Sequence, residues 1–254
     1  LAATSTLIQK NQKISAKPGT EAKHDKLLQI YVTRTNAYVC IFVDEGLGGA
    51  VNNSQLQKSI CCITDEFSAV SCLETIKQGF EVKLLICYET REDLIHLVKI
   101  IDKILPRMLR SEIELEFHKI SKFGKNSEDV LSKNSLITDI QIRSAKEKKI
   151  SYISLTISPL IFPSVYVETL QKRVFNAGLV PHISLSGIDS EIIKNAKEIG
   201  MEKYISKIEK FATTNFTKSK PKPHKKEKIS KKIIKVRLGP NNVHTILDSL
   251  EIEH

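Results

Sequence analysis

The residues best suited to chemistry gather behind the first long apolar run, in Ile63-Thr64-Asp65-Glu66-Phe67-Ser68-Ala69. In an open parallel sheet, ligands bind beyond the carboxyl ends of strands, usually where the first strand hands over to a helix. A loop that cradles phosphate uses glycine so that backbone N–H groups approach the anion closely. This loop has no glycine and places two carboxylates, Asp65 and Glu66, where an anion would sit. Thr64, Phe67 and Ser68 remain as a vestigial nucleotide-binding set. The plainer reading of the same residues is a solvated turn with Ser68 as helix N-cap.

Other chemistry-bearing residues are scattered. Cys40, Cys61, Cys62, Cys72 and Cys87 form an odd set without C-x-x-C spacing, all inside apolar stretches. That pattern reads as buried reduced thiols in a cytoplasmic protein, not as a disulfide framework or a zinc site. His96, His118 and His182 lack metal-ligand spacing, so no metal is expected. The net charge of +10 is local: residues 218–237 hold ten Lys/Arg and one acid, leaving 29 basic against 28 acidic residues elsewhere. Lys218, Lys220, Lys222, Lys225, Lys226, Lys228, Lys231 and Lys232 therefore form the segment able to neutralise RNA phosphates. Aromatic residues are 6% of the chain with no Trp, so base stacking on a sheet surface is not expected.

The elements that must position these residues follow from periodicity. From residue 58 onward, apolar runs of strand length alternate with amphipathic stretches of helical length. Strands are expected at Lys58–Ile63, Val82–Tyr88, Ile113–Ile120, Ile150–Ile157 and Pro181–Leu185. Helices are expected at 68–78, ending at Gly79, at 92–105, ending before Pro106, at 135–148 after a polar loop (122–133), at 164–176, and from Asp189 to Ile199. Connections this short imply an α/β fold, a doubly wound parallel sheet with helices on both faces. An apolar fraction of 41% in 254 residues supports a sizeable core, and no apolar run approaches the roughly 18 residues of a membrane span. The N-terminus has no basic region followed by an apolar core, so a secretory signal is not expected, and the missing Met marks a processed chain or a fragment.

The ends differ from the body. Leu27–Val32 and Ala37–Val43 flank Thr33-Arg34-Thr35-Asn36, which suits a hairpin, and Gly46-Leu47-Gly48-Gly49 connects it onward. Residues 1–53 thus form one piece, 54–217 the main domain, and 218–254 a basic Lys/Pro linker followed by a short strand (233–238) and helix (243–250).

This order of elements resembles the tRNA 4-thiouridine synthetases, the tRNA sulfurtransferases of the ThiI type, from about residue 28 to 224. In that family a THUMP domain ends in a strand pair and a glycine-rich connector before a PP-loop ATP pyrophosphatase domain. Ile30–Val43 and Gly46-Leu47-Gly48-Gly49 stand in those places. The family's S-G-G-x-D-S-P-V-A loop is matched in position by Thr64 to Ser71, and its K-R-G by Lys77-Gln78-Gly79. Val167 to Leu170, Ile183 to Ile193, Ala196-Lys197-Glu198-Ile199-Gly200 and Ala212 to Phe216 are similar to later family segments.

The departures fall on the chemistry. Asp65 and Glu66 replace both loop glycines, and a deletion after Phe67 removes the loop aspartate. No cysteine occurs in residues 135–142, before Arg143-Ser144-Ala145, where the family keeps its catalytic thiol. Thr156-Ile157-Ser158 replaces G-E-S. The resemblance implies a degenerate PP-loop member with a partial THUMP piece: a non-catalytic relative that binds tRNA or ribosomal RNA or serves in an RNA–protein assembly. No cofactor is expected. The alternatives are an active sulfurtransferase using ATP and Mg, or a nucleotide sensor. A protein partner or second copy is expected at the N-terminal strands, and no membrane contact.

Overall fold

The computed structural model describes residues 10, 29–32, 35–40, 50, 53–108, 110–185, 187–216, 221 and 229–251. The chain divides into two compact units, 1–48 and 49–254. In the first, β1 (Gln29–Val32) and β2 (Ala37–Cys40) form an antiparallel pair with Val32 opposite Ala37, the hairpin that the turn residues predict. Ile30, Val32 and Val39 are exposed on it. Residues 41–43 and the glycine connector up to Gly49 lie outside the described residues.

The second unit is built on six strands in the order β7-β6-β3-β4-β5-β8. These are β3 (Lys58–Ile63), β4 (Glu81–Tyr88), β5 (Glu112–Lys119), β6 (Tyr152–Ser154), β7 (Val180–His182) and β8 (Ser230–Arg237). All neighbours are parallel except β5 and β8. The chain winds rightward from β3 through α1 (Glu66–Lys77) and α2 (Arg91–Ile104). It then crosses back through α3 (Ser127–Lys148) to β6 and α4 (Ser164–Asn176). Right-handed crossovers put α1 and α2 on one face and α3 and α4 on the other. The doubly wound α/β sheet read from periodicity is the fold observed. α5 (Ser190–Glu198) and α6 (Ile205–Ala212) pack against α1, and α7 (Asn242–Glu251) covers α2 and β8.

Ile60, Ile63, Leu84, Leu85, Ile86 and Phe117 fill the space between the layers and are essentially inaccessible. Their near-continuous apolar runs suit strands covered on both faces. Gly79, at φ +90°, closes α1 in a conformation costly for other residues.

Two elements differ from expectation. α3 begins at Ser127, eight residues before the expected start, because Asn126 accepts a hydrogen bond from Asp129 N–H at 2.8 Å and caps it. The first turns are polar on the outside, so their apolar period is too weak to read. The strand expected at the end of the chain joins the same sheet as the antiparallel edge beside β5, with Ser230 opposite Lys119 and Arg237 opposite Glu112.

Candidate functional site

Strand order reverses between β3 and β6, and the carboxyl ends of the sheet open there into a crevice of about 280 Å³. Its walls come from four loops at that end: Asp65 and Phe67 after β3, Glu89 after β4, Phe123 to Lys125 after β5, and Thr156 after β6. Val130, Lys133 and Asn134 on α3 and Phe211 on α6 complete it.

The β3–α1 loop is closed on itself. Asp65, not Ser68, is the N-cap of α1; Ser68 sits three residues on as the second half of a capping box. Ser68 N–H donates to Asp65 Oδ1 at 2.8 Å. Thr64 N–H and Asp65 N–H both donate to Ser68 Oγ, at 2.8 and 3.0 Å. The N–H groups that a phosphate would use at these positions are therefore satisfied by the loop's own side chains. Thr64, Phe67 and Ser68 are all buried, and Phe67 stacks on Phe211 with ring centroids 4.7 Å apart.

Glu66 points across the helix start toward two other helices. Lys207 Nζ of α6 lies 2.8 Å from Glu66 Oε1, and His96 Nε2 of α2 lies 3.0 Å from the same oxygen. Burial pushes the Glu66 carboxyl up, but Lys207, its own backbone N–H and His96 outweigh that and hold it below the usual range. Lys133 faces the crevice, where its ammonium lies 2.8 Å from Glu89 Oε1 and in the field of Asp65 and Asp93. Burial alone would lower its pKa; these carboxylates raise it above the ordinary lysine value. Lys133 lies in the stretch that sequence reasoning assigned to a loop. Only its position nearly two turns past the observed start of the helix brings it here.

The four described thiols are shut away from substrate in this arrangement. Cys61, Cys62, Cys72 and Cys87 are free and buried, as their apolar surroundings imply. Burial and the neighbouring Cys87, with Sγ–Sγ 3.4 Å, push the Cys62 thiol up, while its contact with Cys61 and burial do the same for Cys72. Residues 135–142 are the interior of α3, where the Gln141 amide donates to Ser154 O at 2.9 Å. His96, His118 and His182 occupy three separate places, and among the described residues no group of His, Cys, Asp and Glu could hold a metal.

Of the candidate RNA-binding lysines, Lys218, Lys220, Lys222, Lys225, Lys226 and Lys228 lie outside the described residues. Lys231 and Lys232 are on β8: Lys231 Nζ is 3.4 Å from buried Glu116 and also bonds Glu147, and Lys232 donates to Leu250 O at 3.0 Å. Both flanks of the basic run are anchored beside the β5–α3 connection. Phe216 is buried against Phe162 with Asn215 O accepting from Ser127 Oγ at 3.3 Å, and Ser230 pairs with Lys119.

Neither a protein-family model nor a curated protein matches the chain. Solved structures do, among them the following two. A 4-thiouridine synthetase, solved as a complex with RNA and with bound ATP, aligns over 87% of this chain and 61% of its own at a TM-score of 0.59 and 16% identity. The fold matches that of a 4-thiouridine synthetase. A protein of Pyrococcus horikoshii aligns over 71% of this chain and 53% of its own, at 17% identity and a TM-score of 0.47. The chain thus spans between half and two thirds of the length of these structures. Among the described residues, no helix is long and apolar enough to cross a membrane.

Proposed function

We propose that this protein is a non-catalytic relative of the tRNA sulfurtransferases that binds tRNA or ribosomal RNA, alone or within an RNA–protein assembly. One observation carries the reading: the loop that would hold a nucleotide's phosphates has Asp65 and Glu66 in place of glycines and is closed by the Asp65–Ser68 capping box. Adenylation needs a polyphosphate held on backbone donors, and sulfur transfer needs an accessible thiolate. The loop does not fit the first, and the described cysteines do not offer the second.

The RNA half of the reading rests on the basic run and on the likeness to a protein solved with RNA. Lys218, Lys220, Lys222, Lys225, Lys226 and Lys228 contact phosphates in this reading. The exposed apolar residues of the N-terminal hairpin support pairing with a partner strand or a second copy.

Incubation with labelled ATP and an unmodified tRNA transcript tests the first half: AMP release above a blank overturns it. A second reading, nucleotide sensing, draws on the 280 Å³ crevice and its Lys133. ATP titration without turnover would support it over the first. RNA affinity measured against salt tests the RNA half. Replacing the six lysines by Gln should flatten the log–log slope by several units, at about 0.7 to 0.9 per phosphate.

A further inference from the structure

The two edges of the six-stranded sheet are built differently. Strand β7 ends one edge with three residues. Val180 N–H donates to Ser151 O, and His182 O accepts from Leu155 N–H, so both residues turn toward β6. Pro181 turns outward and has no N–H to offer, which closes that edge to a further strand.

Strand β8 ends the other edge with eight residues, about 26 Å of extended chain. Leu238 N–H donates to Ser111 O at 2.9 Å, which fixes the phase of the ladder. In an antiparallel pair, opposed residues alternate between those bonded to each other and those whose N–H and C=O point away. With Leu238 turned toward Ser111, the residues Val236, Ile234, Lys232 and Ser230 turn toward β5. Arg237, Lys235, Ile233 and Lys231 then turn their backbone groups outward. All four are exposed, and among the described residues no strand lies on that side. Their side chains share one face of the strand, with Ile233 45% exposed among the cations. Lys231 is engaged by Glu116 and Glu147. No carboxylate among the described residues pairs with Lys235 or Arg237.

The charge on this edge decides what fits it. Two β8 strands paired about their middle would set Lys231 against Arg237, so a second copy is repelled. Phosphates gain from the cations but are repelled by the outward carbonyls. A peptide strand uses the N–H and C=O groups together. Carboxylates opposite Lys235 and Arg237, with an apolar residue opposite Ile233, match the side chains as well.

We propose that the open edge of β8 takes up an extended acidic segment of a partner protein as a seventh strand of the sheet. RNA binding by the basic run is separate from this and is not required for it.

The full chain is titrated with the capped peptide Glu-Thr-Glu-Thr-Val-Thr-Glu and with a copy methylated at every backbone nitrogen, which keeps the charge and loses every donor. The first should bind, and the second roughly tenfold more weakly or not at all. Lys235→Glu with Arg237→Glu should weaken binding of the first roughly tenfold and leave the melting curve in place. Ile233→Pro removes an outward N–H without touching the bonds to β5 and should weaken binding by a similar factor. If that variant melts early, the charge-reversed chain and the methylated peptide decide the matter. No binding of the first peptide, equal binding of both, or undiminished binding by the charge-reversed chain overturns the proposal. A dimer in sedimentation that Ile233→Pro dissociates would assign the edge to a second copy. RNA affinity lost in the charge-reversed chain, with no peptide bound by the unaltered one, would assign it to RNA. Either result overturns the proposal, and neither decides whether the chain releases AMP from ATP.

Discussion

Two carboxylates, Glu66 and Glu116, meet the same chemistry in different surroundings. Glu66 opens α1 at the carboxyl end of the sheet, and one of its two basic partners, Lys207, is mostly in water. Glu116 sits in the middle of β5 with its side chain 2% exposed. There it meets His118 Nε2 at 2.8 Å, Lys148 Nζ at 3.1 Å and Lys231 Nζ at 3.4 Å, and accepts from Ser144 Oγ at 3.1 Å. Burial pushes the Glu116 carboxyl up, yet His118, Lys148 and Lys231 together bring it down to about 2. The contrast teaches that an acid–base contact acquires its role from the shelter around it. Sheltered on every side, it joins β5, α3 and β8; open on one side, it contributes little to stability and leaves a cation able to meet an outside anion.

The most severe way to break that contrast is Glu116→Ala. It removes the buried partner shared by His118, Lys148 and Lys231, leaving Lys148 with Glu114 and Lys231 with Glu147, and should cost about 3 kcal/mol in chemical denaturation. A loss no greater than that of a surface substitution would erase the distinction. Acid titration sharpens it. The folded-state carboxyl lies below its ordinary value of 4.5, so its stabilising effect is complete above about 4.5 and is lost as pH falls toward about 2. Glu116→Gln should therefore remove part of the stability lost over that interval, read as a shallower fall of melting temperature with pH.

The capping box at the loop comes next. Asp65→Ala or Ser68→Ala should each cost about 1 kcal/mol, and the double variant less than their sum because both act on one set of hydrogen bonds. Additive losses would mean that the loop is not closed as one unit. The smallest effect is expected for Lys207→Ala, below about 0.5 kcal/mol in stability, since the pair is half in water. A cost as large as that of Glu116→Ala would make the Glu66 contact a second structural lock.

Much of this molecule is legible without coordinates. The alternation of apolar runs with 3.6-residue periods encodes burial locally, so the doubly wound sheet, its buried thiols and the N-terminal hairpin can be read directly. The two acids in the β3–α1 loop speak against phosphate wherever the chain goes. Ser68 reads as the cap in sequence because Asp65 and Ser68 are both good cap residues, and only backbone geometry separates the N-cap, Asp65, from the position three residues on.

What the tertiary structure alone decided are the pairings across distance. Glu66 and Lys207 are 141 residues apart, and nothing local to either says they meet. Lys133 reaches the crevice because a polar helix start carries it there. In sequence, residues 218–232 read as a basic linker and 233–238 as a short strand with no sheet assigned to it. Set against Glu112, Glu114 and Glu116 of β5, the same residues become the edge of the sheet, because like-charged lysines need an acidic neighbour that only the fold supplies.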